Sequence, residues 1–169
     1  MAKNLQKVNT QGGINAGSGY THYVDITASD LSTSTGEEFL YLTLNGSLFA
    51  GSIRKAGILV VEQFEGGGIT DATMAVGLGD GSTTDGGGTS SNGDALVEEV
   101  DIFKTDSNTG LEFINTGADL DDAYGKTVAA SGNGAVLGIA TNGTGAGLGS
   151  ATKGRAIVSF DISNVSGGQ

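Results

Sequence analysis

The chain has 169 residues, of which 31 are glycine and none is proline, cysteine or tryptophan, and its formal net charge is −11. Without cysteine it has no disulfide, thiolate metal site or thiol nucleophile, and a single histidine cannot close a zinc site. The acidic balance repels nucleic acid and anionic lipid, and no apolar run reaches signal-peptide or membrane-spanning length.

Residues 1–19 show no periodicity and hold Gly12, Gly13, Gly17 and Gly19. This composition predicts an N-terminal arm, flexible or ordered only against a partner. Its charges are Lys3 and Lys7, with no carboxylate before Asp25. At Tyr20 a period of two begins. Tyr20, His22, Val24 and Ile26 share one face of a strand, and Thr21, Tyr23 and Asp25 share the other. Ala28-Ser29-Asp30-Leu31 then reads as a turn capped by Ser29 or Asp30.

Phe39 to Leu44 is the second predicted strand, closed by the turn signal Asn45-Gly46. Glu37 and Glu38 precede it and read as edge charges. Gly57 to Phe64 is apolar on both faces in its middle, which predicts a strand near the centre of a sheet or sandwich, ended by Gly66-Gly67-Gly68. Thr73 to Leu78 follows. Residues 80–93 form a loop of glycine and small polar residues that has nothing to bury. Eleven of the nineteen carboxylates lie between Asp80 and Asp122, where Lys104 is the only cation.

Leu96 to Phe103 is a fifth strand, with Glu98 and Glu99 expected on opposite faces. Leu111 to Ile114 is a short sixth, and Asp119 to Asp122 is an acidic turn. Lys126–Ala130 and Ala135–Thr141 read as a hairpin around Gly132-Asn133-Gly134, and residues 142–151 as another glycine loop. Arg155 to Ile162 alternates, with Ala156, Val158, Phe160 and Ile162 inward. The tail 166–169 is expected to fray. Eight or nine antiparallel strands in one domain over 20–165 predict an all-β sandwich, a jelly roll in particular. The absence of proline leaves the sheet edges to be covered by loops, charges or neighbouring subunits.

Motifs for chemistry fail one by one. Tyr124-Gly125-Lys126-Thr127 lacks the upstream glycine of a phosphate loop, the position being Leu120. Gly143-Thr144-Gly145 and Gly77-Leu78-Gly79 lack the third glycine of a dinucleotide fingerprint. Asp119, Asp121 and Asp122 lack the glycine and glutamate of a calcium loop, having Tyr124 and Ala130 in their places. His22 lies on an apolar face, where a packed or interface histidine is expected. No nucleophile elbow occurs, and no tryptophan offers a sugar platform. The residues give no catalytic site, cofactor or metal.

The order of segments is itself informative. Thr21-His22-Tyr23-Val24-Asp25-Ile26-Thr27 leads into Ala28-Ser29-Asp30-Leu31, then Phe39-Leu40-Tyr41-Leu42-Thr43-Leu44. The block AGILVVEQFEGGGITDATMAVGLGDG (56–81) precedes the long loop, and Thr152-Lys153-Gly154-Arg155-Ala156-Ile157-Val158-Ser159-Phe160 closes the domain. Over about 20–165 this resembles a family of small virion proteins of tailed bacteriophages, with a VxxxFxGG…xxVGxGD block and a closing T-x-G-x-x-x-V strand. The resemblance implies a capsid decoration (cement) protein: a jelly-roll homotrimer in the virion, on the outer surface of the major capsid protein lattice. The arm, through Lys3 and Lys7, would meet that surface. A tail or head-fibre component and a virion glycan-binding module are the alternatives.

Overall fold

The computed structural model describes residues 2–8, 19–32, 36–79, 92–103, 109–110, 112–114, 127–128 and 136–167. They form eleven strands and two short 3-10 turns. In chain order the strands are β1 (Ala2–Asn4), β2 (Gln6–Lys7), β3 (His22–Thr27), β4 (Gly36–Thr43), β5 (Phe49–Glu65), β6 (Ile69–Gly79), β7 (Asn92–Asp101), β8 (Glu112–Ile114), β9 (Thr127–Val128), β10 (Val136–Gly145) and β11 (Lys153–Gly167). Sheet A has the order β1-β4-β10-β6-β7. Sheet B has the order β2-β3-β11-β5-β8, with β9 also on β5.

The connectivity is that of a jelly roll. Setting aside β1, β2 and β9, eight strands remain, and they pair first with eighth (β3·β11), second with seventh (β4·β10), third with sixth (β5·β8) and fourth with fifth (β6·β7). That is one long antiparallel ribbon. Rolling it up brings β11 beside β5 and β10 beside β6, also antiparallel, and yields two facing sheets. The all-β sandwich expected from the sequence is therefore the fold.

Alternation drives the packing. His22, Val24 and Ile26 are buried along β3, as are Leu40 and Leu42 on β4 and Ala156, Val158 and Phe160 on β11. Each sheet thus turns an apolar face inward, and the two inner faces meet around Phe64, Ile58, Met74, Leu137 and Ile139. Asn45 (φ 52) and Gly46 (φ 79) are both left-handed, as the tight turn after β4 requires, and Leu44 bridges Ser47 across it. Gly66, Gly67 and Gly68 all take positive φ where β5 turns into β6.

Several elements differ from the sequence reading, each for a physical reason. β5 begins at Phe49 rather than at Gly57, because a register shift near Arg54 puts two polar residues in succession and hides the alternation. Leu96 and Val97 are both buried, and Glu98 and Glu99 are both exposed rather than opposed. The cause is a bulge: Met74 pairs with Val100 and Val76 with Val97, so β7 spends one residue more than β6. The expected hairpin of 126–141 does not exist, since β9 pairs with β5 in sheet B while β10 lies between β4 and β6 in sheet A. Residues 142–145 continue β10, and Leu148–Ser150 is a 3-10 turn. Ser166 and Gly167 of the expected tail pair with Ala50 and Phe49. The acidic turn 119–122 and residues 80–91 of the acidic loop lie outside the described residues.

Two short crossings tie the sheets together. On one side Leu5 sits between β1 and β2, its N–H bonded to the Thr43 carbonyl at 2.7 Å, while the Val8 N–H reaches the Thr21 carbonyl at 3.0 Å. On the other side the Ile102 N–H bonds Ala72 of sheet A at 2.9 Å, and its carbonyl accepts from Phe64 of sheet B at 2.7 Å.

Gly154 shows how tightly β5 and β11 meet. Its φ is +141, and an added Cβ would lie 2.8 Å from the Phe64 Cα as well as inside the Phe64 ring. Backbone strain and overpacking act together there, so Gly154→Ala is expected to cost about 3 kcal/mol. A urea titration should show the lowered midpoint.

Candidate docking surface

The expected arm and the observed N-terminus differ. Residues 2–4 add to sheet A as β1, in parallel with Tyr41, Leu42 and Thr43 of β4. Residues 6 and 7 add to sheet B as β2, antiparallel to β3, with Gln6 opposite Tyr23 and Lys7 opposite His22. Leu5 between them is 3% exposed. The segment is therefore a clasp over the edges of β3 and β4 rather than a free arm over its whole length, and residues 9–18 lie outside the described residues. Burial of Leu5 fixes it, and a period of two could not reveal this, because the chain changes sheets at that residue.

The two arm cations separate. Lys3 is ion-paired with Asp30 at the 3-10 turn Ala28–Asp30. The other oxygen of Asp30 accepts the Thr27 N–H at 2.8 Å and the Thr27 hydroxyl at 2.9 Å. Burial pushes the Asp30 carboxyl up, but the hydrogen bonds from Lys3 and Thr27 outweigh it and hold the group below its ordinary 3.8. Lys7 is exposed on β2.

Glu38, expected as an edge charge, is buried at 3% exposed. Its carboxylate accepts the Ser32 N–H at 2.9 Å and the Ser32 hydroxyl at 2.8 Å, pinning the chain before β4. His22 is buried on the inner face, as its position in the alternation predicts. Among the described residues no three His, Asp or Glu side chains group as a metal site. No helix among them is long and apolar enough to cross a membrane.

Charge divides between the sheets. The strands of sheet A carry Glu37, Glu38, Asp71, Asp94, Glu98, Glu99 and Asp101 against Lys3 alone. Those of sheet B carry Asp25, Glu62, Glu65, Glu112 and Asp161 against Lys7, Arg54, Lys55, Lys153 and Arg155. Most of the sheet B charges neutralise one another. Arg155 grips Asp25 with Nε at 2.9 Å and Nη2 at 2.7 Å, Arg54 meets Asp161 at 2.9 Å, and Lys153 meets Glu65 at 2.6 Å. Lys55 stacks over the Tyr20 ring at 4.2 Å.

Within this rim the outer face of sheet B is small and apolar. Gly57, Ser159 and Ile157 are buried, with the Tyr20 hydroxyl over Gly57, while Leu59 and Val61 are half-buried and Ile114 is the one large apolar side chain of the described residues left substantially exposed, at 39%. Ile114 pairs with Gly57, so it stands on the outer face while Phe113 turns into the core. On sheet A the corresponding face is filled from within: Phe39 folds over Gly138 and packs with Ala75 and Ala140. The sequence marks Leu111–Ile114 as a strand but gives no sign of which apolar residue turns outward.

The chain matches no protein-family model, no curated protein and no solved structure.

Two outcomes check the clasp. Leu5→Ala should cost about 2 kcal/mol of stability, the low end for a buried leucine, because the segment can detach instead of leaving a cavity. Asp30 is held below its ordinary pKa, so its pairing stabilises the fold above pH 3.8 and is lost as pH falls through the depressed value. Lys3→Met should therefore move the Asp30 titration, followed by carboxyl NMR, upward toward 3.8.

Proposed function

We propose that the chain is a structural protein of a tailed-bacteriophage virion that decorates and stabilises the capsid. In this reading it lies with sheet B against the outer surface of the major capsid protein lattice, as a homotrimer. The observation that carries the proposal is the difference between the two faces. Sheet A is acidic, and its outer apolar groups pack on one another. Sheet B is charge-balanced, with an apolar centre at Leu59, Val61 and Ile114 inside a rim of ion pairs. An apolar centre within a polar rim is the anatomy of a protein-docking surface. A rigid sandwich holds such a face flat, and a coat gains its strength from modest contacts repeated over many copies.

The segment order that resembles phage virion proteins supports the same reading. The clasp refines the role expected for Lys3 and Lys7. Lys3 is engaged within the molecule by Asp30, and Lys7, the register partner of inward-facing His22, stands at the edge of sheet B rather than on its outer face, so docking rests on that face more than on these cations. A truncation of residues 1–8 would remove part of the fold along with any contact, so point substitutions test docking more cleanly.

Cryo-electron microscopy of particles of the encoding virus is expected to show density for this chain on the shell at three-fold or quasi-three-fold positions. Ile114→Asp should lower occupancy at least tenfold, equivalent to about 1.4 kcal/mol. The double change Glu98→Gln and Glu99→Gln on sheet A should leave occupancy unaltered. Density confined to the tail would replace this reading with that of a tail component. Loss of binding through the sheet A changes alone would overturn docking by sheet B.

A further inference from the structure

His22 is only 5% exposed, and its Nε2 has no hydrogen-bond partner. Its Nδ1 lies 2.9 Å from the Thr21 hydroxyl, and the Thr21 oxygen already accepts the Ile162 N–H at 2.9 Å. In the neutral ring one nitrogen carries a proton and the other does not, so a single satisfied nitrogen leaves a tolerable deficit. A charged ring carries protons on both nitrogens. The second N–H would then be buried with no acceptor, and a buried charge lacking its hydrogen bond is far costlier than a neutral group in the same place.

The charged groups that bear on the ring are Lys7 on β2 and Asp161 on β11. Lys7 is the register partner of His22, so an imidazolium would face a like charge across the strand pair. Asp161 favours the imidazolium, but its carboxylate is already held by Arg54 at 2.9 Å. Burial first, and then Lys7, lower the His22 pKa from 6.5, against the opposing pull of Asp161.

The strands around the ring are held very unequally. β3 pairs with β11 through six consecutive residues, whereas β2 pairs with β3 through two. Beyond that pairing the N-terminal segment is held by Leu5, by β1, by the backbone bonds of Leu5 and Val8, and by side-chain links from Lys3 to Asp30, from the Gly46 N–H to Asn4 Oδ1 at 3.1 Å and from the Tyr23 hydroxyl to Gln6 at 2.8 Å. Departure of this segment removes Lys7 and opens the ring to water while the ribbon stays intact.

We infer that the N-terminal clasp is an acid-released strand pair: protonation of His22 frees residues 2–8 from the edges of β3 and β4. In the docked state the ring stays neutral, and in the released state it takes up a proton at its ordinary pKa. The docked state is therefore fully favoured above pH 6.5. Its population relative to the released state falls by up to tenfold for each pH unit below that, until the depressed pKa of the docked state is passed. Release exposes the hydrogen-bonding edges of β3 and β4 and the slot of Leu5, so acid turns a finished sandwich into one with two edges open for pairing.

The test is an NMR titration of the intact chain from pH 7.5 to 4.5. It follows the His22 ring together with the amides of Leu5 and Val8, and takes those of Val24 and Val158 as markers of the body. The Leu5 and Val8 resonances should move to unstructured positions with the midpoint of the His22 ring, while Val24 and Val158 stay folded. In His22→Gln, which does not titrate in this range, the Leu5 and Val8 amides should remain docked throughout. Three results would each overturn the inference: His22 titrating while Leu5 and Val8 stay in place, all four amides unfolding together, or release in His22→Gln at the wild-type midpoint. If His22→Gln does not fold, the first two still decide it within the wild-type chain.

Discussion

The pairing of β5 with β11 is the constraint on which the rest of the sandwich depends. These two strands are the longest in the molecule, at 17 and 15 residues, and they lie side by side in the middle of sheet B. Because side chains alternate with a period of two, a slip of one residue would turn Ile58, Val60, Val158 and Phe160 out of the core and Gly57, Leu59 and Ser159 into it. Four register shifts along the pair let both strands bend without such a slip. Each keeps inward residues inward after the chain has accommodated an extra residue. Gly154, pressed against Phe64, is the point where this accommodation leaves no room for a Cβ.

From that pair the topology follows by wrapping. β3 takes its place through its six-residue pairing with β11, and β6 is joined to β5 by three glycines that reverse the chain between the two sheets. Every pairing of the ribbon except β6·β7 joins residues far apart in sequence. High contact order of this kind makes folding slow and leaves unpaired edges exposed for longer. Different devices finish those edges in the folded state. The N-terminal clasp covers β3 and β4, β8 and β9 cover parts of β5, and the bulge with Glu98 and Glu99 guards β7. Proline, the usual edge breaker, is absent from all of them.

How much of this the sequence discloses depends on whether a local period survives. β3, β4, β6 from Ala72 onward and the core of β11 alternate without interruption, and their inward residues are legible from the letters alone. β5 is legible only from Gly57 onward, because the register shift near Arg54 breaks the period before it. Glu98 and Glu99 mislead for the same reason, since a bulge places two successive residues on the solvent side. β9 and β10 read as a hairpin because turn residues separate them. Which sheet each strand joins is settled by long-range pairing with β5 or β4, and no local signal carries that information. The candidate surface was the least legible part. Its charge balance comes from ion pairs such as Arg155–Asp25, whose partners lie 130 residues apart. The exposure of Ile114 depends on a register with Gly57 that only the fold supplies.

The unequal charge of the two sheets has a consequence for how the molecule moves before it touches anything. Seven carboxylates against one lysine on the strands of sheet A, and five against five cations on those of sheet B, give the described strands an electric moment directed from one sheet to the other. Near an anionic surface that moment exerts a torque, turning sheet A outward and presenting sheet B first. The field reaches about 8 Å at physiological ionic strength and only about 3 Å at 1 M salt, so the orientation is lost as salt rises. Raising the salt concentration would then slow productive encounters by randomising the approach, while the apolar contact made on arrival would be little changed.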